Sequence, residues 1–471
     1  MKNETQHKTL KLSQEDTIAA IATPRGVGGI GIIRISGPKS EEIGHLLFKP
    51  KKKIHAFKSH HLYHGDLISL ERNIILDEVL LSIMKKPHSY TGEDTLEINC
   101  HGGLVVLDAV LNEVLKAGAR LAEPGEFTKR AFLNNRLDLS QAEAVIDLIM
   151  AKTIRGLGLA LSHLRGDLSK RVRSLRLSLI DILANLETSI DFTEEDIHVS
   201  PISELSESIQ EITDVIDEIL STYGEGKILR EGLSVVITGK PNVGKSSLLN
   251  RLIQENRAIV TSIPGTTRDF IEEVINIKGI PVKFVDTAGI RDVENVIEQE
   301  GIRLVWEKVS SADLVIILLD GSTNLTGEDI EVIEKNKKGK VMLVINKADL
   351  PQKINDRDIE RILPGIKPLR ISAKYGDGIP GLKEEIYNLA FKDKQDDARS
   401  DIMLTNLRHR IALEEAADFL KKAKENVIQG LSPELAAFDV RDALESLGEI
   451  VGETTSEDVL DRIFSTFCIG K

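Results

Sequence analysis

Gly239-Lys-Pro-Asn-Val-Gly-Lys-Ser246 sets two glycines, a lysine and a hydroxyl at the spacing of a phosphate-binding loop. The residue types explain the chemistry. Gly239 and Gly244 allow torsions closed to residues with side chains, which turns backbone amides toward phosphate oxygens. Lys245 adds a positive charge for the β- and γ-phosphates, and the Ser246 hydroxyl is placed to hold magnesium. Asn242, Val243, Gly244, Lys245, Ser246 and Ser247 are therefore candidate nucleotide contacts. Such a loop needs a strand before it and a helix after it, with the helix's positive N-terminus facing the ligand. Leu233–Thr238 is an apolar, β-branched run that predicts a buried strand, and Ser247–Ile253 predicts the first turns of a helix.

Three further segments follow, each after an apolar run. Asp286-Thr287-Ala288-Gly289 comes after Val282–Val285, where an aspartate reaches magnesium through water and a glycine amide meets the γ-phosphate. Asn346-Lys347-Ala348-Asp349 comes after Val341–Ile345. A carboxylate there accepts hydrogen bonds from N1 and the exocyclic amine of guanine, a donor pair that adenine lacks. Ser372-Ala373-Lys374 adds backbone contacts to the guanine oxygen. This stretch resembles the GTPase domain of the translation-factor class.

Thr261-Ser262-Ile263-Pro264-Gly265-Thr266-Thr267 lies between the first and second elements. A threonine here, Thr267, closes over the γ-phosphate and joins Ser246 on magnesium, as in a switch loop. The paired threonines, the glycine and free carbonyls could also wrap a monovalent cation, with a side-chain oxygen from Asn242. On the residues alone, Asn242 could equally cap the turn. Ras-like proteins carry a water-orienting glutamine just after Asp-x-x-Gly, but Ile290 stands there and cannot do this. Asp292, Glu294, Glu298 and Glu300 are the nearby acids, and spacing does not choose among them.

The 471 residues point to roughly three domains. A hydrophobic content of 41% and a mean hydropathy of −0.10 describe a soluble globular protein. No apolar run approaches the ~18 residues of a membrane span, and Met1–Lys8 has no signal core. Cys100 and Cys468 give no disulfide framework, so the cytoplasm is the expected compartment. A net charge of −13 argues against a broad nucleic-acid-coating surface and leaves local patches. Lys49–Lys53 reads as a solvated loop. Lys170–Arg176, on a helical pattern, is the better RNA candidate of the two, with plain surface charge as the reading that the residues favour. His55, His60, His61, His64 and the Cys100-His101 pair lack zinc-like spacing and read as loop residues.

The expected fold class is multidomain α/β. An α+β N-terminal domain over 1–135 is expected to contain strands over Thr17–Ala22 and Gly29–Ile35 and a helix over Leu104–Ala117. A helical domain over 136–229 carries the stripe Leu161, Leu164, Leu168, Val172, Leu175, Leu179 on one face. A P-loop GTPase domain of Ras-like α/β type covers 230–390. Helices return over 391–471, with Leu404–Val427 and Pro433–Leu447 predicted. Helices on both sides predict that the GTPase is inserted into one all-α helical domain, as close-lying termini permit.

Four segments carry a wider resemblance: Ala22–Gly37, Tyr90–Glu97 with His101-Gly-Gly103, Pro124–Asn134 running into Leu137-Asp-Leu139, and the C-terminus Phe467-Cys468-Ile-Gly-Lys471. On them the chain resembles the MnmE (TrmE) family of tRNA modification GTPases over nearly its whole length. The resemblance implies a tetrahydrofolate-binding, dimerising N-terminal domain, with Arg34, Glu97, Arg136 and Lys471 at the family's folate contacts. Arg136 stands where the family can have lysine. The ligand implied is 5,10-methylenetetrahydrofolate or 5-formyltetrahydrofolate. It also implies a catalytic role for Cys468 and water orientation by Glu298. A potassium ion takes the place of an arginine finger, with Asn242, Thr261, Ile263 and Thr266 as its ligands. The implied partners are a second copy, tRNA, and an MnmG (GidA)-type flavoprotein that alone carries FAD and forms a heterotetramer. The implied reaction adds an aminomethyl or carboxymethylaminomethyl group to C5 of the wobble uridine. The alternative is a ribosome-assembly or signalling GTPase without modification chemistry.

Overall fold

The N-terminal strands are β1 (Ile18–Ile21), β2 (Gly31–Ser36), β3 (Phe48–Pro50), β4 (His61–Ile68), β5 (Ile75–Met84), β6 (Thr95–Cys100) and β7 (Arg120–Leu121). They appear in a computed structural model that describes residues 16–191, 201–256, 272–286, 312–337, 340–391 and 402–470. They form one sheet in the order β3-β4-β5-β6-β2-β1-β7, antiparallel except for the β1–β7 pair. Side chains alternate across it: Ile33 and Ile35 of β2 are buried, while Arg34 points to the other face. Helices Ser40–Leu47 and Leu104–Lys116 close the apolar face through Ile43, Leu47, Leu107, Val110 and Val114. The last residues of the chain belong to this same compact unit, which comprises Met1–Ile146, His163–Arg176 and Glu445–Lys471. Its C-terminal helix, Glu457–Ser465, joins Leu460 and Phe464 to Phe467, Leu139 and Phe132 in one cluster.

The second unit comprises Asp147–Ser162 and Leu177–Leu444. Its strands are β8 (Leu233–Thr238), β9 (Glu272–Ile277), β10 (Ile280–Asp286), β11 (Leu314–Asp320), β12 (Val341–Asn346) and β13 (Leu369–Arg370), in the order β13-β12-β11-β8-β10-β9. All pairs are parallel except β10–β9. Along β11, Leu314, Ile316 and Leu318 enter one core and Val315, Ile317 and Leu319 the other. Burial on both faces explains why these strands read as continuous apolar runs. The chain leaves β8 for β10 on one side and returns to β11 on the other. This reversal is where doubly wound sheets bind ligands, outside the strand C-termini.

The helices before and after the sheet pack on one another. Helix Ile202–Ser221 lies along helix Leu407–Ile428, with Lys424 Nζ donating to Gln210 Oε1 at 2.5 Å. Leu404 N donates to Thr222 Oγ1 at 2.9 Å. The GTPase-type sheet is thus inserted between two parts of one helical body.

One expectation needs correction. The stripe from Leu161 to Leu179 spans two helices, Ile154–Leu164 and Asp167–Asp191. Gly166, at φ +81°, breaks it. Leu168, Val172, Leu175 and Leu179 are buried as expected, whereas Leu161 and Leu164 are half-buried. Among the described residues no helix is long and apolar enough to cross a membrane.

Candidate nucleotide site and the Arg34 site

The loop after β8 folds as its glycines require. A Cβ on Gly244, at φ +102°, would lie 2.3 Å from Asn346 Nδ2, and one on Gly239 would lie 2.4 Å from the Leu318 carbonyl. Val243 is buried beneath the loop as an apolar anchor. Lys245 opens helix Lys245–Asn256, and its Nζ donates to the carbonyls of Gly239 at 3.0 Å and Lys240 at 2.8 Å. That places the ammonium inside the loop, where phosphates would meet it. Lys240 Nζ ties the loop to Asp329 Oδ2 at 2.7 Å. Asn242 is exposed at φ +64°, a backbone region that asparagine tolerates.

The base-recognition segments converge on the same edge of the sheet. Asn346 is buried and bridges them: its Nδ2 donates to Val243 O at 2.8 Å, and its Oδ1 accepts from Ala373 N at 2.9 Å. Asp349 Oδ1 accepts from Ser372 Oγ at 2.6 Å, which orients its carboxylate. Ala348 N donates to Ile371 O, and Arg251 reaches the carbonyls of Ala373 and Lys374. Lys347 Nζ donates to Asp320 Oδ2 at 2.6 Å. Burial would raise the Asp320 carboxyl, but hydrogen bonds from Lys347 and Ser322 outweigh it and hold the group below its ordinary range.

A second constellation forms on the first sheet. Arg34 and Glu97 are cross-strand partners on β2 and β6, with Nε to Oε1 at 2.9 Å. The Arg34 guanidinium lies 5.3 Å from the Tyr90 ring centre and 5.9 Å from that of Phe127. Arg34 also donates to the carbonyl of Gly470 at 3.4 Å. The tail is seated there by a bridge between Ile469 and Pro124, and by Gly125, where a Cβ would meet Phe464 O at 2.4 Å. Burial raises the Tyr90 phenol, while its bond to Thr128 and the charges of Arg34 and Arg136 pull the other way. Arg136 is thus within electrostatic reach, although exposed.

Arg34 and Glu97 are brought together, as are Asn242–Ser247, Asn346–Asp349 and Ser372–Lys374. Asp286 ends β10 opposite Ile237 of β8. Thr261, Ser262, Ile263, Pro264, Gly265, Thr266, Thr267, Thr287, Ala288, Gly289, Ile290, Asp292, Glu294, Glu298, Glu300 and Lys471 lie outside the described residues.

A profile described as "GTP-binding protein TrmE N-terminus" matches residues 17–136, and one described as "MnmE helical domain" matches residues 139–468. A tRNA modification GTPase MnmE from Syntrophus aciditrophicus (strain SB) is 55% identical over 457 residues, covering 97% of this chain and 100% of that protein. The chain belongs to the MnmE family of tRNA modification GTPases. A second relative of that name, from Alkaliphilus oremlandii (strain OhILAs), is 47% identical over 97% of this chain and 99% of its own length. Among solved structures, Aquifex aeolicus Era bound to GDP·AlF4⁻ is 28% identical and covers 40% of this chain and 67% of its own, with a TM-score of 0.27. That score is too low to add to the family assignment.

Asp320 was not singled out in the sequence, although it closes an apolar run just as Asp286 and Asn346 do. Tyr90 and Phe127 sit inside family motifs, but nothing in their spacing places them beneath Arg34. Among the described residues no cluster of His, Cys, Asp and Glu suits a metal ion. His101 instead pairs with Asp77, Nδ1 to Oδ1 at 2.7 Å. The two cysteines differ sharply. Cys100 is buried beside Asp77, and burial first and that charge second push its thiol up to about 11, whereas Cys468 is exposed. Alkylation requires the thiolate, so iodoacetamide at pH 8 is expected to label Cys468 within minutes and Cys100 only after denaturation. Peptide mass spectrometry reads the two sites separately.

Proposed function

We propose that this chain is a potassium-activated GTPase that, with an MnmG (GidA)-type flavoprotein, installs an aminomethyl or carboxymethylaminomethyl group on C5 of the wobble uridine of certain tRNAs. The observation that carries this reading is Arg34, which holds Glu97 and the Gly470 carbonyl together. It joins the candidate one-carbon site to the tail that bears Cys468. A nucleotide switch alone has no need of such an arrangement.

In this reading residues 1–135 bind folate and dimerise, 136–229 with 391–471 form the helical domain, and 230–390 form the GTPase. The protein works in the cytoplasm as a homodimer, and joins the flavoprotein in a heterotetramer in which only the partner carries FAD. Arg34, Glu97, Arg136 and Lys471 hold the folate. Glu97 fits an aminopyrimidine edge, because its second carboxylate oxygen has no partner among the described residues. The folate supplies the carbon that the reaction transfers, and Cys468 lies on the tail beside it.

Ser246 and Thr267 would hold magnesium, and Asn242, Thr261, Ile263 and Thr266 potassium. The fit is chemical: these are neutral oxygen donors, the kind that hard cations take. The Asn242 side chain is exposed and makes no hydrogen bond among the described residues, which supports the ion reading over turn capping. Glu298 orients the attacking water in place of the glutamine that Ile290 replaces. The Asn346 bridge supports rejection of adenine by Asp349, since it fixes the base segment against the phosphate loop.

Hydrolysis by the purified chain is expected to run at least about tenfold faster in potassium than in sodium chloride, a modest share of the 10³–10⁵ that an arginine finger contributes. Equal rates would remove Asn242 from the ion site. The reading as a whole is tested by incubating the chain with the flavoprotein, tRNA, NADH, methylenetetrahydrofolate and GTP. Mass spectrometry of the nucleosides should then show the C5-modified uridine, and unmodified uridine throughout would refute it.

A further inference from the structure

In a chain of net charge −13, residues 49 to 64 contain five lysines, four histidines and no acid. The fold puts this stretch at the free end of the first sheet. β3 is its edge strand, and the segment after it returns along β4. Lys85 and Lys86 join the same surface, since His60 N donates to Ile83 O and Lys85 N to Ser59 Oγ.

The stretch after β3 is an exposed loop, but it is anchored at its end. Phe57 is buried and plugs it into the sheet, with its ring 4.4 Å from His45 and 5.2 Å from Tyr63. Lys58 N donates to Tyr63 Oη at 2.6 Å, and Ser59 Oγ bonds to His60 Nδ1. His60 adopts φ +60°. The backbone is thus pinned, while Lys52, Lys53 and Lys58 are exposed. Lys51 is taken by Asp66, and Lys85 pairs with Glu41. Lys52, Lys53, Lys58 and Lys86 make no ion pair among the described residues. The helical patch Lys170–Arg176 behaves differently: Lys170, Arg173 and Arg176 pair with Asp167, Asp138 and Glu453. The better RNA candidate in the sequence is therefore largely neutralised locally, and the Lys49–Lys58 edge is not.

We propose that this edge is a docking surface for the phosphate backbone of tRNA. The inference rests on the tRNA reading above and locates its contact. The edge strand is four strand spacings from β2, about 19 Å from Arg34 at ~4.8 Å per strand. A structured RNA can bridge that gap, so phosphates bind at the edge while a base reaches the Arg34 site. Backbone contacts of this kind position an RNA without reading its sequence.

The experiment uses the full-length chain and the triple variant Lys52→Gln, Lys53→Gln, Lys58→Gln, with fluorescein-labelled tRNA read by anisotropy across a potassium chloride series. The variant should bind at least about tenfold more weakly near 0.1 M salt. Its slope of log K against log salt should fall by about 2, since each phosphate contact contributes about 0.7 to 0.9. GTP hydrolysis should be unchanged, because these lysines belong to the first unit and every described nucleotide-site residue to the second. An unchanged affinity and slope overturns the proposal. So does a loss confined to anionic phosphatidylserine vesicles with tRNA binding intact. If the wild-type chain with its flavoprotein modifies uridine while the variant binds tRNA normally, only this inference falls. If wild type gives no modified uridine, the underlying reading falls as well.

Discussion

Lys245→Ala is expected to lower the single-turnover rate of GTP hydrolysis by about 10²- to 10³-fold, the usual cost of removing one preorganised group that faces developing charge. The ammonium sits inside the loop, held by the carbonyls of Gly239 and Lys240. It needs no reorganisation to meet the β- and γ-phosphates, and it is the only lysine that the loop points inward, because Lys240 is engaged by Asp329. Melting temperature should change little, since the helix that follows is anchored by Leu248 and Leu252 in the core. Phosphate release measured with saturating GTP decides the matter. A rate within threefold of wild type would show that Lys245 does not act on the phosphates.

Asp349→Asn is expected to weaken GTP binding by about 10²- to 10⁴-fold, and to make xanthosine triphosphate the better ligand. Ser372 Oγ fixes Asp349 Oδ1 and so sets the carboxylate plane. Two charge-assisted hydrogen bonds to the guanine edge are lost, at about 1.5 to 3 kcal/mol each. In their place an amide N–H would face the N1–H and amino donors of guanine. Xanthine carries a carbonyl where guanine carries the amine, so that amide finds an acceptor. Titration with fluorescent GTP and xanthosine triphosphate analogues reads both changes. An unaltered preference for GTP would place the base elsewhere.

The nucleotide site was legible because its signals are local. Each motif follows an apolar strand, and a parallel sheet gathers strand ends at one edge, so Gly239, Asn346 and Ser372 had to converge. What the sequence hid was the coupling between them. Asn346 bonds both the phosphate loop and Ala373 across long stretches of chain, and no spacing rule reports such a contact. The Arg34 site was legible only through family motifs, because Arg34, Glu97, Phe127 and Gly470 come from four distant segments. The stripe from Leu161 to Leu179 misled for a local reason: a spacing of three and four persists through Gly166, while the helix does not. Charge runs could not be ranked from the sequence, because pairing is a tertiary property. Lys170 meets Asp167 on its own helix, and Arg173 and Arg176 meet Asp138 and Glu453 from distant stretches of chain, whereas Lys52, Lys53 and Lys58 make no ion pair among the described residues.

The central claim is that GTP hydrolysis on the Gly239–Ser246 loop drives tRNA modification. It is tested most directly by one comparison: the complete reaction of the wild-type chain with its flavoprotein, tRNA, NADH and methylenetetrahydrofolate, run with GTP or with GDP. Modified wobble uridine is quantified by nucleoside mass spectrometry. The account predicts product accumulating with GTP and at least about tenfold less with GDP. Equal product with the two nucleotides would contradict it.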